Sequence, residues 1–203
     1  MKKLLTITLS AALAVSAFAQ GKVSMNNLST ALMSTNNGAG GAGVTGTAAQ
    51  GFYYGLLTAA STVTTVDASG QNLLTPTWTF TGNGYATNIA AGGRLTSGTI
   101  TTTTGWPLGV TNSYIIVGWS SNMGHDWSQV AAQLSGANFT GTSWSGGGIN
   151  PGEYLGFSSV AYGSVDSGGV TTYNLFGTVP TAQGNPLTAG FSMYTAVPEP
   201  TSF

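Results

Sequence analysis

The chain has 203 residues, of which 41% are hydrophobic and only 4% are charged. Because an average soluble protein is about 25% charged, this one must owe its solubility to uncharged residues such as Thr, Ser and Asn. Nucleic acid is excluded as a partner, since binding it requires a basic patch and the chain has only 4 Lys and Arg residues. The absence of cysteine excludes disulfides, thiolate metal sites and cysteine nucleophiles.

The N-terminus has the features of a secretory signal peptide. Two lysines directly follow the initiator methionine, residues 4–15 are apolar or small, and Ala17 and Ala19 form an A-x-A cleavage site. The apolar run is too short to span ~30 Å of hydrocarbon, which needs about 20 residues. We therefore predict cleavage after Ala19, which removes residues 1–19 and leaves Gln20 as the first residue of the mature chain.

Residues 20–196 consist of short β-branched and aromatic runs separated by Gly, Asn, Ser and Pro, a pattern typical of an all-β protein. The most strand-like run, residues 114–119, is continuously apolar, as in a central strand covered on both faces. The other predicted strands cover residues 21–27, 51–59, 63–66, 77–80, 94–104, 154–162, 172–176 and 190–197. We predict a single domain with the fold of an antiparallel β-sandwich, jelly-roll or immunoglobulin-like.

One segment departs from the strand pattern. Asp126 can cap a helix whose face carries Trp127, Val130, Ala131 and Leu134 at spacings of three and four residues. We therefore predict one short helix near residues 126–134.

The chain ends in Val197, Pro198, Glu199 and Pro200, followed by Thr-Ser-Phe. These residues resemble the opening of the PEP-CTERM sorting signal. In that family a Val-Pro-Glu-Pro motif precedes one apolar membrane-spanning segment and a basic cluster, and a membrane protease called exosortase reads the whole unit. Residues 197–203 match only the first part, so contact with a membrane would require the missing segment. We interpret the chain as cut short; the alternatives are a degenerate signal on a secreted protein and an ordinary proline-rich tail.

The body carries looser motifs of the same kind: Phe-Tyr-Tyr-Gly at 52–55, Gly-Trp-Ser at 118–120 and Gly-Phe-Ser at 190–192. Together with the two ends, they make the chain similar to exported PEP-CTERM proteins of the planctomycete and verrucomicrobial type. The resemblance implies Gram-negative-type export and a cell-surface or matrix location linked to exopolysaccharide production. It implies an exosortase-type protease as partner and no catalytic residues.

Few side chains are available for nucleophilic catalysis. His125, the only histidine, lies beside Asp126 and near Ser120, Ser121 and Ser128, which suggests a Ser-His-Asp triad. In a triad the acid and the nucleophile meet opposite imidazole nitrogens, a geometry that sequence-adjacent His and Asp rarely present. No Gly-x-Ser-x-Gly elbow supports this reading. We predict no catalytic residues, with Asp126 serving as the helix cap.

A glycosidase would need two carboxylates about 5 Å or about 6.5–9.5 Å apart. Outside the C-terminal motif the acids are Asp67, Asp126, Glu153 and Asp166. Glu153 and Asp166 lie in turn-like contexts, where carboxylates cap backbone groups or face water. No stretch has the dense acid spacing of a calcium loop, so we predict neither a metal nor a cofactor.

Tryptophans are the better functional candidates. Trp106 precedes Pro107, and Trp144 lies in a Ser- and Gly-rich stretch, so both have loop-like contexts and are the candidates for exposure and sugar stacking. Exposed aromatic faces among neutral hydrogen-bonding side chains suit an uncharged polysaccharide. We favour the alternative that both rings pack in the core, since Trp is highly buried on average.

Three functions follow in order of preference. The first is a non-enzymatic, exported protein with a structural or adhesive role at the cell surface or in the extracellular matrix. The second is a carbohydrate-binding module for extracellular polysaccharide that uses Trp106 and Trp144. The third is an enzyme acting on polysaccharide.

Overall fold

The structure is a computed structural model that describes residues 21–37, 42–46, 51–74, 76–82, 84–102, 105–166 and 171–197. The predicted signal peptide, including Ala17 and Ala19, and the motif residues Pro198, Glu199 and Pro200 lie outside the described residues. Val197 is described, and its side chain is exposed. Within the described ranges, no helix has both the length and the apolar character needed to cross a membrane.

Strands dominate the described part of the chain. They are β1 (Gly21–Ser24), β2 (Ser34–Asn36), β3 (Ala42–Val44), β4 (Phe52–Ala60), β5 (Thr79–Phe80), β6 (Ala86–Asn88), β7 (Leu95–Thr96), β8 (Thr99–Thr102), β9 (Thr111–Ser120), β10 (Ala137–Phe139), β11 (Trp144–Gly146), β12 (Tyr154–Phe157), β13 (Ala161–Ser164), β14 (Thr172–Asn174), β15 (Gly184–Asn185) and β16 (Ser192–Thr195). The α-helix α1 covers Trp127–Leu134, and 3-10 helices cover Gln71–Leu73 and Ser121–Met123. The prediction of an all-β, sandwich-like fold with one short helix is confirmed.

The two longest strands form the middle of the largest sheet. β4 and β9 pair antiparallel over nine residue pairs, from Phe52 opposite Ser120 to Ala60 opposite Asn112. The sheet runs β3-β2-β16-β12-β9-β4-β6-β7, with β13 pairing with β9 and β15, and β5 pairing with β4. As predicted, β9 is central.

The two faces of this sheet carry separate cores. Successive strand residues point to opposite sides, so Tyr114 and Ile116 of β9 enter one core while Ile115, Val117 and Trp119 enter the other. The small sheet β14-β1-β8 contributes to the first core. Helix α1 and the β10–β11 hairpin contribute to the second. The central strands are therefore buried on both faces.

The sheets are mixed rather than purely antiparallel. β1 runs parallel to β14, and β16 runs parallel to β2. Parallel neighbours are joined by long crossover connections, so they bring together segments that are distant in sequence. Side-chain alternation has the same period in both strand directions, so the sequence pattern that predicts an antiparallel sandwich could not reveal these two parallel pairings.

Several predicted strands are shorter than expected or interrupted. Residues 63–66 form a loop instead of a strand, because the N–H of Val63 donates to the carbonyl of Ala60 and turns the chain after β4. The segment 94–104 divides into β7 and β8, and the segment 154–162 divides into β12 and β13. The loop at 63–66 and the break between β12 and β13 both line the candidate site.

Candidate functional site

A surface groove lies between the loop after β4 and the break between β12 and β13. It consists of two depressions, each with a volume of about 360 Å³, that share Val66 and Phe157. Residues 64–68 line one wall, and residues 157–160 and 139–141 line the other. We call this surface the Phe157 groove.

Residues 157–160 are held in place because Ser158 hydrogen-bonds to β9 at the break between β12 and β13. Its N–H donates to the carbonyl of Ile116 at 2.9 Å, and its hydroxyl accepts from the N–H of Ile116 at 3.0 Å. The same hydroxyl donates to the carbonyl of Ser159 at 2.8 Å. The backbone of β9 therefore stays hydrogen-bonded across the break, while Ser159 is exposed on the groove wall.

The opposite wall ends in a hydrogen-bonded loop around Asp67. Oδ1 of Asp67 accepts from the Ser69 hydroxyl at 2.8 Å and the Gln71 N–H at 3.1 Å, and Oδ2 accepts from the Asn72 N–H at 2.9 Å. Partial desolvation raises the pKa of Asp67, but hydrogen bonds from Ser69 and from the backbone of Asn72, Gln71 and Gly70 outweigh it, so this pKa lies below its ordinary value. The carboxylate at this end of the groove is thus ionised at neutral pH and holds its own loop.

Two phenylalanines form the aromatic floor. The rings of Phe139 and Phe157 lie edge to face, with centroids 5.8 Å apart and planes at 72°. Tyr194 flanks Phe139 at 5.2 Å, and all three rings are half-buried. Exposed Thr64 and Thr140 line the groove beside this floor. The groove combines an apolar floor with neutral hydroxyl groups.

Trp106, a candidate for sugar stacking, is buried, as the favoured core interpretation predicts. Its side chain is 2% exposed, its ring stacks on Tyr114 with centroids 5.4 Å apart, and its indole N–H donates to the carbonyl of Val110 at 3.2 Å. The Pro-containing context correctly indicated a loop, but the loop folds over the first core. The ring cannot meet a sugar in this conformation.

Trp144 is also buried, at 0% exposure. It lies in β11 rather than in a loop, and its indole N–H donates to the carbonyl of Leu155 at 2.9 Å. Gly70, with a φ of 73°, covers the ring so closely that a Cβ at this position would lie 2.7 Å from the Trp144 ring. Trp144 is therefore ruled out as a sugar-stacking residue in this conformation, and the favoured core interpretation is confirmed for it as well.

His125 and Asp126 do form a contact. Nδ1 of His125 lies 2.7 Å from Oδ1 of Asp126, with the side chains 60% and 62% exposed. The rings of Tyr53 and Tyr85 meet the imidazole edge to face, with centroids at 4.7 and 5.0 Å. The Ser120 hydroxyl is engaged elsewhere, with a side chain and a backbone N–H of neighbouring segments. The His–Asp pair is an exposed surface contact beside an aromatic cluster.

The other acids belong to their own turns. Asp126 forms the N-terminal capping box of α1, as predicted. Glu153 accepts from the N–H of Asn150 at 2.7 Å, and Asp166 accepts from the N–H of Thr171 at 3.1 Å. Among the described residues, no group of three or more His, Asp or Glu side chains could hold a metal ion.

Comparison of the chain with protein-family models, with curated proteins and with solved structures gives no significant match.

Phe139 and Phe157 were not predicted as site residues from the sequence. The consecutive serines at 158 and 159, directly after an apolar run, are the one local signal that the strand ends there. The meeting of Phe139 with Phe157 depends on the docking of a hairpin and has no local signal.

Proposed function

We propose that the protein is an exported, non-enzymatic surface or matrix protein with a structural or adhesive role. The signal-peptide features of residues 1–19 support export. The resemblance of residues 197–200 to the PEP-CTERM motif supports sorting by an exosortase-type membrane protease in a Gram-negative-type cell. The all-β body is of a size that suits a compact surface domain.

The main support for this proposal is that the acidic side chains hydrogen-bond to nearby backbone groups and so stabilise the fold. Asp67, Asp126, Glu153 and Asp166 are each engaged with backbone groups close to them in sequence. Carboxylates in such positions stabilise the local backbone. What the body presents to a partner is therefore chiefly hydroxyl, amide and aromatic groups, which make contacts without making or breaking bonds.

A carbohydrate-binding module is the second candidate, and the Phe157 groove favours it. Trp106 and Trp144 are buried, so they no longer support this function. Phe157 and Phe139 instead offer half-buried aromatic surface next to hydroxyl groups. Protein sites for neutral ligands combine apolar walls with a few polar groups in this way.

Fractionation of producing cells tests the export and location. The chain is expressed from its own N-terminus in a Gram-negative host that makes exopolysaccharide, and it is followed with antibodies raised against the folded body. We expect the protein on the cell surface or in the matrix, with Gln20 as its first residue. Protein that keeps residues 1–19 and stays in the cytoplasm would overturn the proposal.

A second measurement separates adhesion from catalysis. The exported protein is incubated with matrix extracted from the same cells, and both the retained protein and newly formed reducing ends are measured. Retention without new reducing ends is the expected result. Steady release of reducing ends would identify an enzyme, and failure to be retained would contradict an adhesive role.

A further inference from the structure

We propose that the Phe157 groove is a binding site for a stretch of uncharged polysaccharide. The inference rests on the proposed adhesive function and adds to it the contact surface and the chemistry of the ligand. The proposed site lies at residues 64–68, 139–141 and 157–160 and does not involve the two buried tryptophans.

The two adjoining depressions of the groove can accommodate linked units. Its two depressions of about 360 Å³ adjoin through Val66 and Phe157. Small-molecule sites begin at about 300 Å³, so each depression has room for a unit the size of a sugar ring. Consecutive units of a linear polymer can occupy the depressions while Phe157 contacts both.

The chemistry of the lining matches a neutral sugar. A sugar ring has apolar C–H faces and a rim of hydroxyl groups. The half-buried Phe157 ring can take the apolar face, and Thr64 and Ser159 carry hydroxyls in one depression. The Thr140 hydroxyl in the other depression is engaged within the hairpin loop, 3.1 Å from the carbonyl and 2.9 Å from the hydroxyl of Ser143. Because a hydroxyl both donates and accepts hydrogen bonds, Thr64 and Ser159 can pair with sugar hydroxyls of either orientation.

The charge of the groove selects against an acidic polymer. Asp67 is the charged residue of the lining, and its oxygens accept from Ser69, Gln71 and Asn72. Its negative charge disfavours uronate or sulfate groups nearby. A neutral polymer avoids this repulsion, and its binding is insensitive to salt because screening acts on charges.

Both walls are held by hydrogen bonds before any ligand arrives. The N–H of Phe139 donates to the carbonyl of Ser69 at 2.8 Å, which ties the Asp67 loop to β10. Ser158 fixes the other wall to Ile116 of β9. A groove that is already ordered loses less conformational entropy when a ligand binds. Weak contacts with a sugar therefore suffice for binding.

Amide chemical-shift mapping tests the assignment directly. The ¹⁵N-labelled exported protein is titrated with cellohexaose, maltohexaose and mannohexaose as neutral probes, and with an alginate hexamer as the acidic probe. We expect the largest saturable shifts for at least one neutral probe at residues 64–68, 140–141 and 159. The alginate hexamer should cause no saturable shift there.

Variants with matched controls separate the site from the fold. Phe157→Ala removes the aromatic floor and should weaken binding about tenfold or more, whereas Phe191→Ala truncates a half-buried ring of the other core. Because Phe157→Ala also affects packing, Ser159→Gln fills the groove from an exposed position, and Ser29→Gln makes the same change at an exposed position outside it. Ser159→Gln should abolish binding, and both controls should bind as the unmodified protein does.

The outcomes distinguish this inference from the function on which it rests. Saturable groove shifts that Ser159→Gln abolishes support the inference. Shifts at other residues, groove shifts with alginate alone, or no glycan shift in a protein that is still retained on matrix would overturn the groove site but leave adhesion standing. A protein that is not retained on matrix would contradict the adhesive function itself.

Discussion

Phe139 of β10 and Phe157 of β12 lie edge to face with their ring centroids 5.8 Å apart. The contact joins the β10–β11 hairpin to the central sheet at the place where the two depressions of the Phe157 groove meet. The same pair therefore belongs to the second core and to the proposed binding surface. Substitutions beneath the hairpin should affect the stability of the fold, and substitutions on the rim should affect binding alone.

Replacing Gly70 with Ala should destabilise the protein more than the same change at Gly136. Both glycines have a left-handed backbone, with φ of 73° and 80°, which costs a non-glycine residue about 1–2 kcal/mol. Only Gly70→Ala also drives a Cβ against Trp144, at 2.7 Å, whereas a Cβ at Gly136 meets nothing within 4 Å. Overpacking adds about 1–3 kcal/mol, so urea unfolding should show the larger loss for Gly70→Ala, and equal losses would refute the close packing of Trp144.

Acid should loosen the Asp67 loop before the whole domain unfolds. The pKa of Asp67 is lower in the folded protein than its ordinary value of about 3.9, so its contribution to stability is present above that value. It is lost as the pH falls through the depressed pKa. The protection factor of the Asn72 amide, which is the exchange rate corrected for its intrinsic pH dependence, should therefore fall at acid pH, and Asp67→Asn should remove this acid dependence. An unchanged acid response in Asp67→Asn would show that another group causes it.

Alkaline pH should unfold the protein through its buried tyrosines. Burial is the main cause that raises the pKa of Tyr54, Tyr85, Tyr114 and Tyr173. Their contribution to stability is complete below the ordinary tyrosine pKa of about 10 and is lost as the pH rises beyond it. Tyrosinate absorbance should thus include a late step that coincides with the loss of circular dichroism.

Tyr114→Phe provides the control for that late step. It keeps the ring that stacks on Trp106 but removes the hydroxyl that donates to the carbonyl of Leu175 at 2.9 Å. The amplitude of the late absorbance step should fall by the share of one tyrosine. If the amplitude does not change, Tyr114 ionises in the native protein or does not ionise at all, and its burial is not what resists alkali.

Asn27→Ala should destabilise the first core. The buried Asn27 side chain donates to the carbonyls of Ala31 at 2.7 Å and Gly93 at 2.8 Å, and it accepts from the N–H of Leu95 at 2.9 Å. Removing this side chain leaves buried backbone groups without hydrogen-bond partners, which lowers the free energy of unfolding by about 1–3 kcal/mol. The exposed neighbour Asn26 supplies the control, and thermal unfolding of Asn26→Ala should show the smaller shift. A larger shift of the unfolding midpoint for Asn26→Ala would mean that the Asn27 hydrogen bonds do not contribute strongly to the stability of the first core.

The elements that the sequence predicted well depend on local patterns. The run at residues 114–119 indicated a central strand, and Tyr114, Ile116 and Val117 are indeed buried in β9. The capped pattern after Asp126 likewise predicted α1. In both cases the information lies within one element, where side-chain period and capping chemistry decide the outcome.

The parts that the sequence did not predict depend on contacts between distant segments. Trp144 has a loop-like neighbourhood, but Gly70 and Leu155 cover it from elsewhere in the chain. The Phe157 groove similarly requires the break at Ser158 to lie beside the loop at 63–66. Neither arrangement leaves a periodic trace in the sequence, since each needs the register of the sheet and the docking of the hairpin.

Adhesion through an uncharged surface is best tested by equilibrium binding of the exported protein to an immobilised neutral polysaccharide, with reducing ends assayed in the same samples. We expect saturable binding with the same affinity at about 0.1 M and about 1 M NaCl, where charge screening differs strongly, and no new reducing ends. Binding that disappears at about 1 M NaCl, release of reducing ends, or no binding to any neutral polymer would contradict adhesion through an uncharged surface.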